Sequence, residues 1–176
     1  MLLTELENLS ASSELISIDR NCHDEELTGI VCFVSDTVIS MQLFSDGGFY
    51  RGFAVFEFDQ VAEVYWGNRE HRAIRHLIDQ NSRPEPIVLS STSFLESMLE
   101  LNEKYSSVSI HSSNDEDRFD IAKIVSSDEN WCKIQTFSAK RTLSPMTKII
   151  KTELITRIVV ESPYQNQIVE LHSSEI

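Results

Sequence analysis

The 176 residues hold 41% hydrophobic and 24% charged side chains, a balance that argues against a disordered or fibrous class and leaves room for one ordinary domain or two small ones. The formal net charge of −13 repels a phosphate backbone at long range, so general DNA or RNA binding is disfavoured and only a local basic site stays open. No basic leader precedes the first leucines, and no stretch approaches the roughly 18 consecutive apolar residues of a membrane span, so a cytoplasmic protein without membrane contact is expected.

In chain order, Leu2, Leu3, Leu6 and Leu9 are spaced for one face of a helix. Strands are expected at about 14–18, 27–35, 37–44, 50–58 and 61–66. Alternation is plainest in Val38-Ile-Ser-Met-Gln-Leu-Phe44 and in Phe53-Ala-Val-Phe-Glu-Phe58, which are rich in the β-branched and aromatic residues that strands favour. Asp46-Gly47-Gly48 between them is a hairpin signal, because glycine supplies the positive φ of a tight turn. Residues 68–81 read as a helix with Asn68 as N-cap and Ile74, Leu77 and Ile78 on one face. Pro84-Glu85-Pro86 then stiffens a connector, Ile87-Val88-Leu89 is apolar enough to pack between two units, and serines and threonines at 90–93 cap the next helix.

From Phe94 the pattern starts again. Phe94, Leu95, Met98 and Leu101 repeat the first helix 92 residues on, and Val108-Ser-Ile110 repeats Ile16-Ser-Ile18 at the same offset. Phe33-Val-Ser-Asp36 matches Ile124-Val-Ser-Ser-Asp128, and Gln42-Leu-Phe-Ser45 matches Gln135-Thr-Phe-Ser138. Val61, Val64, Ile74 and Leu77 correspond to Ile155, Ile158, Ile168 and Leu171, 94 residues on. The expected fold is mainly β with short helices, built as two tandem helix-plus-five-stranded small barrels. Residues 1–81 hold the first barrel and its following helix, 82–92 the connector, and 93–176 the second helix and barrel.

The run from Gly29 to Leu43 and the segment Gly52-Phe-Ala-Val-Phe-Glu-Phe-Asp59 resemble the glycine-started second strand and the Gly-to-Asp segment of the Sm-like small barrels. The resemblance covers most of both halves and implies a fold. The Asp-x-hydrophobic-Asn loop and the Arg-Gly loop that line the family's uridine pocket are absent, so no RNA-binding residue carries over. Because Sm-like barrels associate through edge strands, the resemblance also implies that a two-barrel chain can build a ring. The whole arrangement is similar to small uncharacterised bacterial proteins, which implies no activity.

Three features bear on partners. Residues 130–151 carry Lys133, Lys140, Arg141, Lys148 and Lys151 with no Asp or Glu, whereas 37–59 carries Asp46, Glu57 and Asp59 against Arg51. Residues 1–91 hold 6 basic and 15 acidic side chains, net −9, and residues 92–176 hold 9 and 13, net −4. A basic hairpin on an acidic chain suits a protein partner, the acidic barrel of another copy, or a phosphate-bearing ligand. Arg69, Arg72 and Arg75 form a second basic stripe, at helical spacing, suited to carboxylate or phosphate contacts. Acidic turns at Asp24-Glu25-Glu26 and Asp115-Glu116-Asp117 read as solvated loops.

For catalysis the chain offers no GxSxG, HExxH, Walker or dinucleotide motif, and His23 beside Cys22 is not an assembled pair. Cys22, Cys32 and Cys132 have no metal-ligand spacing and read as reduced thiols. No cofactor and no metal is expected. The sequence thus favours a non-enzymatic protein-interaction or self-assembly module that meets a protein partner or its own copies. The alternatives are nucleic-acid or phosphate-ligand binding through the basic face, and an enzyme without a recognisable motif.

Overall fold

The computed structural model describes residues 1–21, 25–113, 115–137 and 145–174, and at 115–118 the backbone alone. The first half runs α1 (Leu2–Ala11), β1 (Leu15–Arg20), β2 (Leu27–Val34), β3 (Val38–Phe44), β4 (Tyr50–Glu57), β5 (Val61–Trp66) and α2 (Arg69–Asn81). The second runs α3 (Phe94–Tyr105), β6 (Val108–Ser112), β7 (Asp115–Ser127), β8 (Trp131–Phe137), β9 (Thr147–Lys151), β10 (Ile155–Val160) and α4 (Pro163–Ser174). Both expected caps form: the Asn68 side chain accepts from the His71 N–H at 2.7 Å, and the Ser93 hydroxyl accepts from the Glu96 N–H at 3.2 Å.

The protein is mainly β, and its strands form one antiparallel sheet in the order β5-β1-β2-β3-β4-β10-β6-β7-β8-β9. This sheet is open, in contrast to the two closed barrels expected. A strand has only two hydrogen-bonding edges. The outer edge of β4, which closure of the first half requires, is occupied by β10 through Phe53↔Val160, Ala54↔Val159 and Val55↔Ile158. Gly52 makes this approach possible: its φ is +120°, and a Cβ there lies 2.7 Å from the Val160 carbonyl oxygen.

The two halves repeat residue by residue. β1 pairs β5 through Ile18↔Val64, and β6 pairs β10 through Ile110↔Ile158, which is 92 and 94 residues on. β3 pairs β4 through Val38↔Glu57 and β8 pairs β9 through Trp131↔Lys151, 93 and 94 residues on. Bulges repeat too. The β2–β3 ladder steps over Cys32 between Val31 and Phe33, and the β7–β8 ladder steps over Val125 between Ile124 and Ser126. This corrects the sequence alignment at one point, because Ile124 is the counterpart of Val31 rather than of Phe33.

A shared core joins the halves. Val38, Phe53 and Val55 of the first half pack with Phe94, Met98, Leu101, Ile110 and Ile158 of the second, and Ile87 of the connector closes over them. Leu6, Leu9, Ile16, Ile18 and Phe56 form a separate core in the first half. No helix among the described residues is long and apolar enough to cross a membrane.

Candidate functional site

The basic strip lies at the end of the sheet, on β8 and the free edge strand β9. Trp131, Lys133, Ile149 and Lys151 all project from the same face, since Trp131 pairs with Lys151 and Lys133 with Ile149. Lys151 sits 5.9 Å over the Trp131 ring and 3.7 Å from Glu153. Lys148 points to the other face and is paired with Asp120 of β7. Carboxylates from outside the acid-free run therefore compensate two of its lysines. Lys140 and Arg141 lie outside the described residues. A groove of about 510 Å³ runs beside this edge between Trp131, Met146, Lys148 and Lys151.

The exposed apolar groups of this edge stand out against their counterparts. Trp131 is 46% and Ile149 61% exposed, yet Val38 and Val55, at the matching positions of the first half, are 2% and 0% exposed. The difference arises because β10 and α3 cover β4, whereas among the described residues no strand pairs with the outer edge of β9. At the other end of the sheet, β5 is the second free edge and carries Glu63 and a 41%-exposed Trp66.

The second basic stripe is largely used within the chain. Arg75 donates to the Ser13 carbonyl at 3.0 Å and pairs with Asp79 at 3.5 Å, while Arg72 donates to the Gly67 carbonyl at 2.7 Å. Arg69 is exposed at the start of α2, apart from the strip on β8 and β9. The two basic clusters do not form one surface.

A site absent from the sequence reading sits at the seam between the halves. Arg157 of β10 is only 4% exposed. It donates from Nη2 to Glu25 Oε2 at 2.6 Å and to His111 Nδ1 at 3.2 Å. Arginine only donates, so His111 Nδ1 carries the lone pair and the ring is neutral. Burial, followed by the charges of Arg157 and Arg20, pushes the His111 pKa down to about 2. Phe119 stacks on His111 at 4.8 Å and Tyr164 meets Phe119 edge-on at 5.8 Å. Glu25 stays a largely exposed loop residue, as expected, but one of its carboxylate oxygens is engaged by the buried Arg157. Asp24 lies outside the described residues, as do the side chains of Asp115, Glu116 and Asp117.

Ser17 Oγ lies 3.0 Å from His71 Nε2, the spacing of a nucleophile and its base. Both are buried, at 2% and 4% exposed. At the matching place in the second half, Ser109 Oγ bonds Gln165 Oε1 at 3.1 Å. An amide cannot act as a base, so what the two halves share is a tie between strand and helix. Among the described residues, no group of three or more His, Cys, Asp and Glu side chains is placed to hold a metal ion. Comparison with protein-family models, curated proteins and solved structures finds no match to the chain.

Proposed function

We propose that the chain is a non-enzymatic self-assembly module, an Sm-like unit repeated in tandem that adds copies of itself edge to edge, with β9 of one molecule against β5 of the next. The observation that carries this reading is the internal seam. There β4 pairs with β10. The two free edges, β9 and β5, are the counterparts of those two strands in the opposite halves. Carrying the seam's register outward sets Ile149 against Val64, Lys148 against Tyr65 and Thr147 against Trp66 of the neighbour. The neighbour's α1, the counterpart of α3, then covers Trp131 and Ile149. Free edges carrying exposed apolar side chains are templates for pairing.

Charge supports the same contact. Glu63 becomes a diagonal neighbour of Lys148, within reach across a strand pair. Nucleic-acid binding through Lys133, Lys148 and Lys151 has the exposed Trp131 ring in its favour as a stacking surface. Against it, Asp120 and Glu153 already offset two of the three lysines, and the chain carries a net charge of −13. Cys32 and Cys132 carry no disulfide, in keeping with a cytoplasmic setting.

The test is the molecular mass in solution by light scattering. The wild type is expected to exceed one chain, and Lys148→Glu with Lys151→Glu to reduce it to a monomer. Adding Glu63→Lys to that variant restores opposite charges across the junction and should restore assembly. A wild type that stays monomeric at millimolar concentration sinks the proposal.

A further inference from the structure

The seam cavity is independent of the free edges, and it is furnished for a ligand. It measures about 360 Å³ and is lined from both halves by Glu25, Arg51, His111, Phe119, Arg157 and Tyr164. Its chemistry is that of a cation held under an aromatic wall.

Arg157 is the unusual component. Among the described residues, its Nε and Nη1 are buried without a hydrogen-bond partner and its one ion-pair partner is Glu25, whose side chain is 67% exposed. A buried guanidinium with unmet N–H groups is costly, and an oxyanion is the group that meets them in pairs. Arg51 stands exposed at the rim. His111 accepts from Arg157 and stays neutral, so it offsets none of this positive charge. Among the described lining residues, two arginines stand against one carboxylate.

The wall above is apolar and flat. Phe119 is 40% and Tyr164 50% exposed, although both take part in ring contacts with their neighbours. A flat ring completes that stack and covers exposed aromatic surface. The Glu25 carboxylate, supplied by a loop, occupies the place at Arg157 that a ligand oxyanion requires.

We infer that the seam cavity binds a small molecule in which a planar ring carries one oxyanion, the oxyanion displacing Glu25 from Arg157 and reaching Arg51, and the ring stacking on Phe119 and Tyr164. The competition with Glu25 gives the inference a sign that a purely structural ion pair does not have. Removing that carboxylate must tighten binding.

Isothermal titration of the full chain with a nucleoside monophosphate, an aromatic carboxylate and inorganic phosphate tests this. At least one ring-bearing probe is expected to bind, and which of the two does so tells phosphate from carboxylate as the natural group. Inorganic phosphate alone should bind more weakly than the ring-bearing form. Glu25→Gln should raise the affinity. Arg51→Gln, a rim change that leaves the core intact, should lower it by roughly tenfold, the worth of one charge-assisted hydrogen bond. No heat from either ring-bearing probe at millimolar concentration overturns the inference, and so does an affinity that Glu25→Gln lowers while circular dichroism shows the variant folded.

Discussion

At the scale of single residues, what the sequence displays is local conformation. The Asp46-Gly47-Gly48 turn is legible because glycine has a conformational reason to be there. Gly48 adopts φ +75°, and a Cβ on it falls 2.6 Å from the Ile78 nitrogen, so the turn also admits α2 against it. Gly48→Ala combines left-handed strain with a backbone overlap and is expected to cost about 2–4 kcal/mol, read as a lowered melting temperature. The pairing of Glu25 with Arg157 is illegible for the opposite reason. The two are 132 residues apart, and three adjacent acids in a turn look the same whether they face water or a buried arginine.

His111 extends this to pH. Its folded pKa of about 2 lies far below the ordinary histidine value near 6.5, so between these limits the unfolded chain binds the extra proton. Its contribution to stability is complete above pH about 6.5 and is lost as the pH falls, by up to about 1.4 kcal/mol per unit. Urea midpoints measured from pH 7 to pH 5 should drop, and His111→Gln should flatten that slope. A slope unchanged in the variant would show that His111 is not the group responsible.

Among the elements, the repeat was visible because apolar spacing survives where identity does not. Ile74 and Ile168, the matched positions of α2 and α4, are 4% and 6% exposed. Truncating either to Ala should cost about 2–5 kcal/mol, and wild-type-like melting of both would undo the equivalence. The strand-helix tie gives a sharper comparison. Since Gln165 does in the second half what His71 does in the first, His71→Gln should leave the melting temperature nearly unchanged. How the strands close was not legible, because side-chain alternation fixes which face of a strand is buried and says nothing about which edge finds a partner. The choice between closing β4 onto its own half and pairing it with β10 depends on the backbone approach at Gly52 and on a core that both halves fill together. The basic strip was legible as composition, yet its compensation by Asp120 and Glu153 was not, since both acids lie outside the run.

For the whole molecule, the same seam repeated outward implies a chain of identical steps. A head-to-tail contact either closes into a ring or grows without limit. A ring leaves neither β5 nor β9 exposed and so removes the hazard that open edges create. The mass is therefore expected to reach a plateau as concentration rises, whereas a filament would keep growing. Salt then separates self-assembly from phosphate binding by sign. Each chain carries a net charge of −13, and two of the three described lysines of the strip already have carboxylate partners. At low ionic strength the mutual repulsion of acidic bodies opposes the proposed contact, which would rest chiefly on backbone pairing and apolar cover. Screening weakens that repulsion over a Debye length that shrinks from about 30 Å at 0.01 M to about 8 Å at 0.15 M salt. Self-association should accordingly strengthen across that range, while a complex with nucleic acid must weaken through counterion release. Sedimentation velocity of the protein alone in these two buffers reads the sign directly, and a mass that falls as salt rises would count against the edge-to-edge contact.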